Sequence, residues 1–173
     1  MDTPQNDYGR ALSIDAEAIG RPGDRRFRIL VRSTSSSASV WMEKQQLAGI
    51  GTWFEETLQR LDKEKQSNDP DVEPASINEP FDLEFHVSQV GLGYIEAEDV
   101  FALQLFDVAQ AQRRRQTPTL RCFLSRGQSR VLSRKIARVI AGGRPICPLC
   151  EMPMEPEGHV CPRSNGHYAN ATI

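Results

Sequence analysis

The sequence predicts an α+β fold, an antiparallel sheet with helices packed on one face, in which a β-β-β-α order occurs twice and a small zinc knuckle follows. Three observations carry that reading. Alternating, β-prone segments come in two groups of three, at 11–18, 27–32 and 38–43 and again at 81–87, 100–106 and 119–125. Each group precedes a segment whose apolar residues recur three and four apart, as on one face of a helix. The end of the chain then gathers three cysteines into fifteen residues.

The first copy is assigned to residues 1–62. Its opening strand alternates through Leu12, Ile14 and Ala16, and Gly20-Arg21-Pro22-Gly23-Asp24 signals a turn. Phe27-Arg28-Ile29-Leu30-Val31-Arg32 follows, then a serine-rich loop and the strand that contains Trp41. A helix is expected from about Gln45, its apolar face made of Leu47, Ile50, Phe54, Leu58 and Leu61. Gly49 and Gly51 weaken its first turns. Residues 63–80 form an acidic linker with Pro70, Pro74 and Pro80. It has too few apolar residues to offset the entropy of ordering, so a mobile surface loop is expected.

The second copy is assigned to residues 81–143. Its first strand alternates around Phe85 and Val87, and Gly91-Leu92-Gly93 is expected to break it. After the strand at 100–106 comes a polar loop with Arg113, Arg114 and Arg115, then the strand holding Cys122. A helix from Gln128 to about Ala141 buries Val131, Leu132, Ile136, Val139 and Ile140, and Gly142-Gly143 ends it. A repeat of this size has an apolar face that needs the other copy to cover it.

Residues 144–173 carry the chemistry. Cys147-Pro148-Leu149-Cys150 places two thiolates on one tight loop, and Cys161 supplies a third eleven residues on. A closed structural zinc site takes four nitrogen or sulfur ligands. The fourth is His159, beside Cys161 in a turn opened by Gly158, or His167 further on; the closer histidine is the favoured one. A redox dithiol would need its cysteines at a helix start. Pro145, Pro148, Pro153 and Pro156 oppose a helix there, and Cys161 would be left without a role. Cys122, alone in its strand, reads as a buried free thiol.

This segment resembles a bacterial family of unknown function, catalogued as an uncharacterised repeat protein. The resemblance lies in Gly143-Arg144-Pro145, Cys147-Pro148-Leu149-Cys150, Pro153, Pro156 to Arg163 and Asn165-Gly166. Met42 to Gln46 and Glu84 to Val87 match less specifically. The family pattern puts a histidine where His159 stands. It more often has an aromatic residue at the place of His167, where this chain departs from it. The resemblance implies a bacterial cytosolic protein and brings no established activity.

No phosphate-binding glycine loop, nucleophile elbow or H-E-x-x-H helix is present. His86 in its alternating strand reads as structural, Trp41 and Trp53 as core, and Glu96, Glu98 and Asp99 as a solvated turn. No stretch is apolar enough to span a membrane, and the polar, acidic start lacks the parts of a signal peptide, so a cytoplasmic protein is expected.

Net charge is −2, but residues 110–173 hold 11 Lys/Arg against 3 Asp/Glu. The halves attract each other, or the basic half meets an anionic partner. Arg126, Arg130, Arg134 and Arg138 recur every fourth residue and, with Arg113, Arg114 and Arg115, make a candidate face for nucleic acid or an acidic protein. The leading expectation is a non-enzymatic binding or adaptor module with a structural zinc. The alternative is an enzyme of unknown chemistry with a small-molecule cleft between the two copies.

Overall fold

The computed structural model describes residues 3–21, 23–111, 117–142, 147–150, 154 and 161–163. Strands β1 (Asn6–Arg10), β2 (Ser13–Arg21), β3 (Asp24–Arg32) and β4 (Ser37–Met42) precede helix α1 (Lys44–Glu64). Strands β5 (Leu83–Ile95), β6 (Val100–Asp107) and β7 (Leu120–Leu124) precede helix α2 (Arg126–Ala141). The seven strands form one sheet in the order β1-β7-β6-β5-β4-β3-β2.

That sheet is mixed, which corrects the expectation of an antiparallel one. β2-β3-β4 and β5-β6-β7 are antiparallel meanders. They join through a parallel pairing of β4 with β5, from Ala38 opposite Leu83 to Trp41 opposite His86. A parallel pair needs a long crossover. Helix α1 and the linker provide it, returning the chain to the starting end of β4. Four strands precede α1 and three precede α2, so the two halves do not share the expected strand, strand, strand, helix order.

β1 is a strand that the sequence reading missed, because Tyr8 is the one large apolar side chain in Asn6–Arg10. It pairs in parallel with β7, and the Tyr8 hydroxyl donates to the Ser37 carbonyl at 3.1 Å. The chain then turns a sharp corner. The Ala11 N–H donates to the Phe123 carbonyl of β7 at 2.9 Å, and the Leu12 N–H to the Arg32 carbonyl of β3 at 2.8 Å. Two adjacent residues therefore bind the second strand from either end of the order, and the sheet must curl until its edges meet. The Gln128 side chain seals the corner by donating to the Ala11 carbonyl at 2.8 Å.

The expected break at Gly91-Leu92-Gly93 does not occur, and β5 runs through it to Ile95. Gly91 lies opposite Gln104 of β6. A Cβ there would come within 3.2 Å of the Gln104 side chain, so glycine admits that side chain across the strand. Helix α2 starts two residues before its expected start. Ser125 and Gln128 form a capping box, with the Gln128 N–H on Ser125 Oγ at 3.2 Å and the Ser125 N–H on Gln128 Oε1 at 3.0 Å.

One apolar cluster joins both meanders and both helices. Leu47, Ile50, Phe54, Leu58 and Leu61 of α1 and Leu132 and Ile136 of α2 meet Ile29, Val31, Val40, Phe101, Leu103 and Leu124 of the sheet. The linker is pinned rather than loose. Asp69 accepts the Gly127 N–H at 2.7 Å, the Ala75 carbonyl accepts the Ser13 hydroxyl at 2.8 Å, and Ile77 is buried. Among the described residues no helix is long and apolar enough to cross a membrane.

The two glycines of α1 are separable by substitution. A Cβ at Gly51 would stand 2.8 Å from the Ile136 methyl group, whereas one at Gly49 meets nothing within 4 Å. Gly51→Val should cost about 1–3 kcal/mol through overpacking. Gly49→Ala should add about 1 kcal/mol through helix propensity. Urea unfolding of the two variants checks both signs.

Candidate metal centre and the basic helix face

The three clustered cysteines come together as expected. The sulfurs of Cys147, Cys150 and Cys161 all lie within 4.8 Å of one another, and Cys147 Sγ is 3.8 Å from Cys161 Sγ. Two sulfurs about 2.3 Å from one tetrahedral ion stand roughly 3.8 Å apart, so this spacing fits shared coordination. It is far longer than a disulfide, at about 2.05 Å. Residues 148–150 make the turn that folds Cys150 back on Cys147. Cys147 and Cys161 are buried against Met154 in a small cluster separate from the main core. Arg163 ties the segment's end to its start by donating to the Leu149 carbonyl at 3.2 Å.

The electrostatics favour thiolate. The Cys147 thiol is lowered below its usual range, first by the Cys150 N–H and also by the Leu149 N–H and the two neighbouring sulfurs, against burial that opposes ionisation. Cys122 behaves in the opposite way. It is fully buried, and burial pushes its thiol up to about 12, so it has neither the charge nor the access to act as a ligand or nucleophile. Both candidate fourth ligands, His159 and His167, lie outside the described residues.

The basic residues meet different fates. Arg113, Arg114 and Arg115 lie outside the described residues. Arg126 is buried, its side chain 4% exposed, and ion-paired to Asp99 at 2.7 Å. It also donates to the Tyr94 hydroxyl at 3.1 Å and the Lys65 carbonyl at 3.0 Å. Arg130 and Arg134 both bind the linker's Asp71, each at 2.6 Å. Arg138 is exposed. Asp99, read from sequence as part of a solvated turn, is a structural partner of Tyr94 and Arg126 and has a positive φ of 53°. Only the spacing of Arg126 was legible, and the distant Asp99 and Asp71 were not.

These pairs couple stability to acid. The hydrogen bond from Arg130 holds the Asp71 carboxyl below the usual range against some burial, and Arg134 adds to it. Burial alone would raise Asp99, but the Tyr94 hydroxyl and Arg126 outweigh it and leave it lowered. A lowered folded pKa stabilises above the unfolded value, about 3.9, and that stability is lost as pH falls through the folded value. Stability should therefore fall below about pH 4. Asp71→Asn should flatten that fall while costing less than about 1 kcal/mol at neutral pH, because the pair is partly exposed. Urea midpoints measured against pH check this.

Sequence comparison adds a frame for the metal segment. A family model described as a protein of unknown function (DUF3090) matches residues 7–161, from β1 to the last of the three cysteines. No curated protein matches the chain, and no solved structure does. The curled mixed sheet, its two helices and the cysteine cluster are thus the architecture of a member of the DUF3090 family, to which this chain belongs.

Proposed function

We propose that this protein is a non-catalytic binding module whose C-terminal segment is held in shape by one structural zinc ion. The observation that carries this reading is the cluster of three sulfurs within 4.8 Å, two of them buried in a segment with little apolar matter of its own. Thiolates at tetrahedral spacing suit zinc, and a fourth protein ligand would close the site. A closed site has no open position to polarise a substrate, so its work is to shape and present a short chain. His159 completes the set in this reading, as the histidine nearest Cys161.

The partner is taken to be a protein. Arg126, Arg130 and Arg134 spend their charge on Asp99 and Asp71. That favours neutralisation within the molecule over a stripe along α2 that grips phosphates, which would require unpaired cations. The basic second half is then mainly the complement of the acidic first half.

Elemental analysis of the purified chain should give about one zinc per molecule. Cys147→Ser, Cys150→Ser and His159→Ala should release it, whereas Cys122→Ser and His167→Ala should retain it. A chelator should change NMR signals after Gly142 and spare those of the sheet, because metal binding supplies the folding energy of the tail alone. Metal-free protein with unchanged tail signals would defeat the reading.

A further inference from the structure

A second site lies where the two meanders join. β5 pairs with β4 as far as His86, then turns to β6 from Val87 onward, with an irregularity between Val87 and Gln89. β4 stops at Met42 and gives way to α1, whose Gln46 side chain reaches the Ser88 carbonyl at 3.3 Å. A strand that changes neighbours leaves a gap at the end of the one it abandons. The β2-β3 hairpin overhangs that gap. The result is a cavity of about 550 Å³ lined by Arg25, Arg26, Trp41, Lys44, His86 and Val87, among others. Its size is that of a small-molecule site, about 300–1,000 Å³.

The charges in this cavity differ from the paired arginines of β3 and α2. Arg28, one residue along β3, is neutralised by Glu17 at 2.5 Å and Glu79 at 3.8 Å. Arg126, Arg130 and Arg134 are neutralised as described above. Arg25, Arg26 and Lys44 form no ion pair with any described carboxylate, and Glu43 is the one carboxylate lining the cavity. Three uncompensated cations thus converge on one concavity in a half of the chain that is otherwise strongly acidic. The first turn of α1 opens on the same space, its end capped by the Glu43 side chain.

The aromatic groups complete the picture. Trp41 is a buried floor, with the Arg26 guanidinium 4.6 Å above its ring. The His86 ring lies near-parallel to Trp41, at 22° and 6.4 Å between centroids, and is itself exposed. An exposed flat ring backed by a second ring is a platform for a planar group. Sequence reading took His86 for a structural histidine, because strand alternation does not show which face is covered.

We propose that this cavity binds a phosphate-bearing ligand with a planar body, a nucleoside mono- or diphosphate in size and chemistry. The phosphate meets Arg25, Arg26 and Lys44, and the planar body lies on His86. The site is independent of the metal cluster. Its Arg25 does reach the end of α2, since a Cβ at Gly142 would lie 3.9 Å from an Arg25 terminal nitrogen.

The test uses the full zinc-loaded chain with Trp53→Phe, which leaves Trp41 as the single tryptophan. ADP, inorganic pyrophosphate and adenosine are titrated against Trp41 fluorescence and by calorimetry. ADP should bind most tightly and perturb Trp41. Arg26→Ala and Lys44→Ala should each weaken ADP about tenfold or more, the worth of one charged hydrogen bond. His86→Ala should weaken ADP and leave pyrophosphate unchanged. Arg60→Ala, an exposed cation outside the cavity, should change neither. Cys147→Ser, which removes the metal in the reading above, should keep ADP binding. No saturable binding of ADP or pyrophosphate at millimolar concentration would overturn the proposal. So would an equal loss in Arg60→Ala, or an ADP affinity indifferent to His86→Ala.

Discussion

The parallel seam between β4 and β5 is the constraint on which the rest of the structure depends. Each meander alone is a three-stranded antiparallel sheet with one covering helix, a small unit with little core. The seam puts Val40 beside Phe85, both buried, and lets α1 and α2 share one apolar cluster. It also dictates the crossover. Because β5 must start where β4 starts, the chain has to travel back along the molecule after α1. The acidic linker makes that journey, and its Asp69 and Asp71 anchor it to the start and the basic face of α2. The corner at Ala11 and Leu12 then joins the outer ends of the sheet, so both meanders are held at two places.

Charge follows the same plan. The acidic first half and basic second half meet in several ion pairs, Asp71 with Arg130 and Arg134, Asp99 with Arg126, and Asp7 with Arg121. Against that pattern, Arg25, Arg26 and Lys44 have no ion-pair partner among the described residues and gather around one cavity at the seam. The cysteine segment lies apart, with Cys147, Met154 and Cys161 in a small cluster of their own.

Much of this was legible in the sequence. Both helices, six of the seven strands, the core face of α1 and the clustering of three cysteines follow from periodicity and spacing. What escaped reading depends on contacts between distant residues. β1 has one buried side chain and exists because β7 offers it a free edge. β5 runs through Gly91 and Gly93 because both pair with β6, and the first of them leaves room for the Gln104 side chain. The parallel sense of the seam is invisible to local pattern, since a strand alternates alike in either direction. The arginines of α2 are spaced like a binding stripe, yet Arg126 is buried because Asp99, 27 positions away, waits for it.

Native-state hydrogen exchange on the full chain with Val40→Ala tests the claim of a single body most directly. The substitution opens a buried gap at the seam worth about 2 kcal/mol. If the seam makes the two meanders one cooperative unit, the slowest amides of β3 and of β6 should lose protection by the same amount. Loss confined to β2, β3 and β4, with β6 and β7 unchanged, would show two independently stable halves and contradict the account.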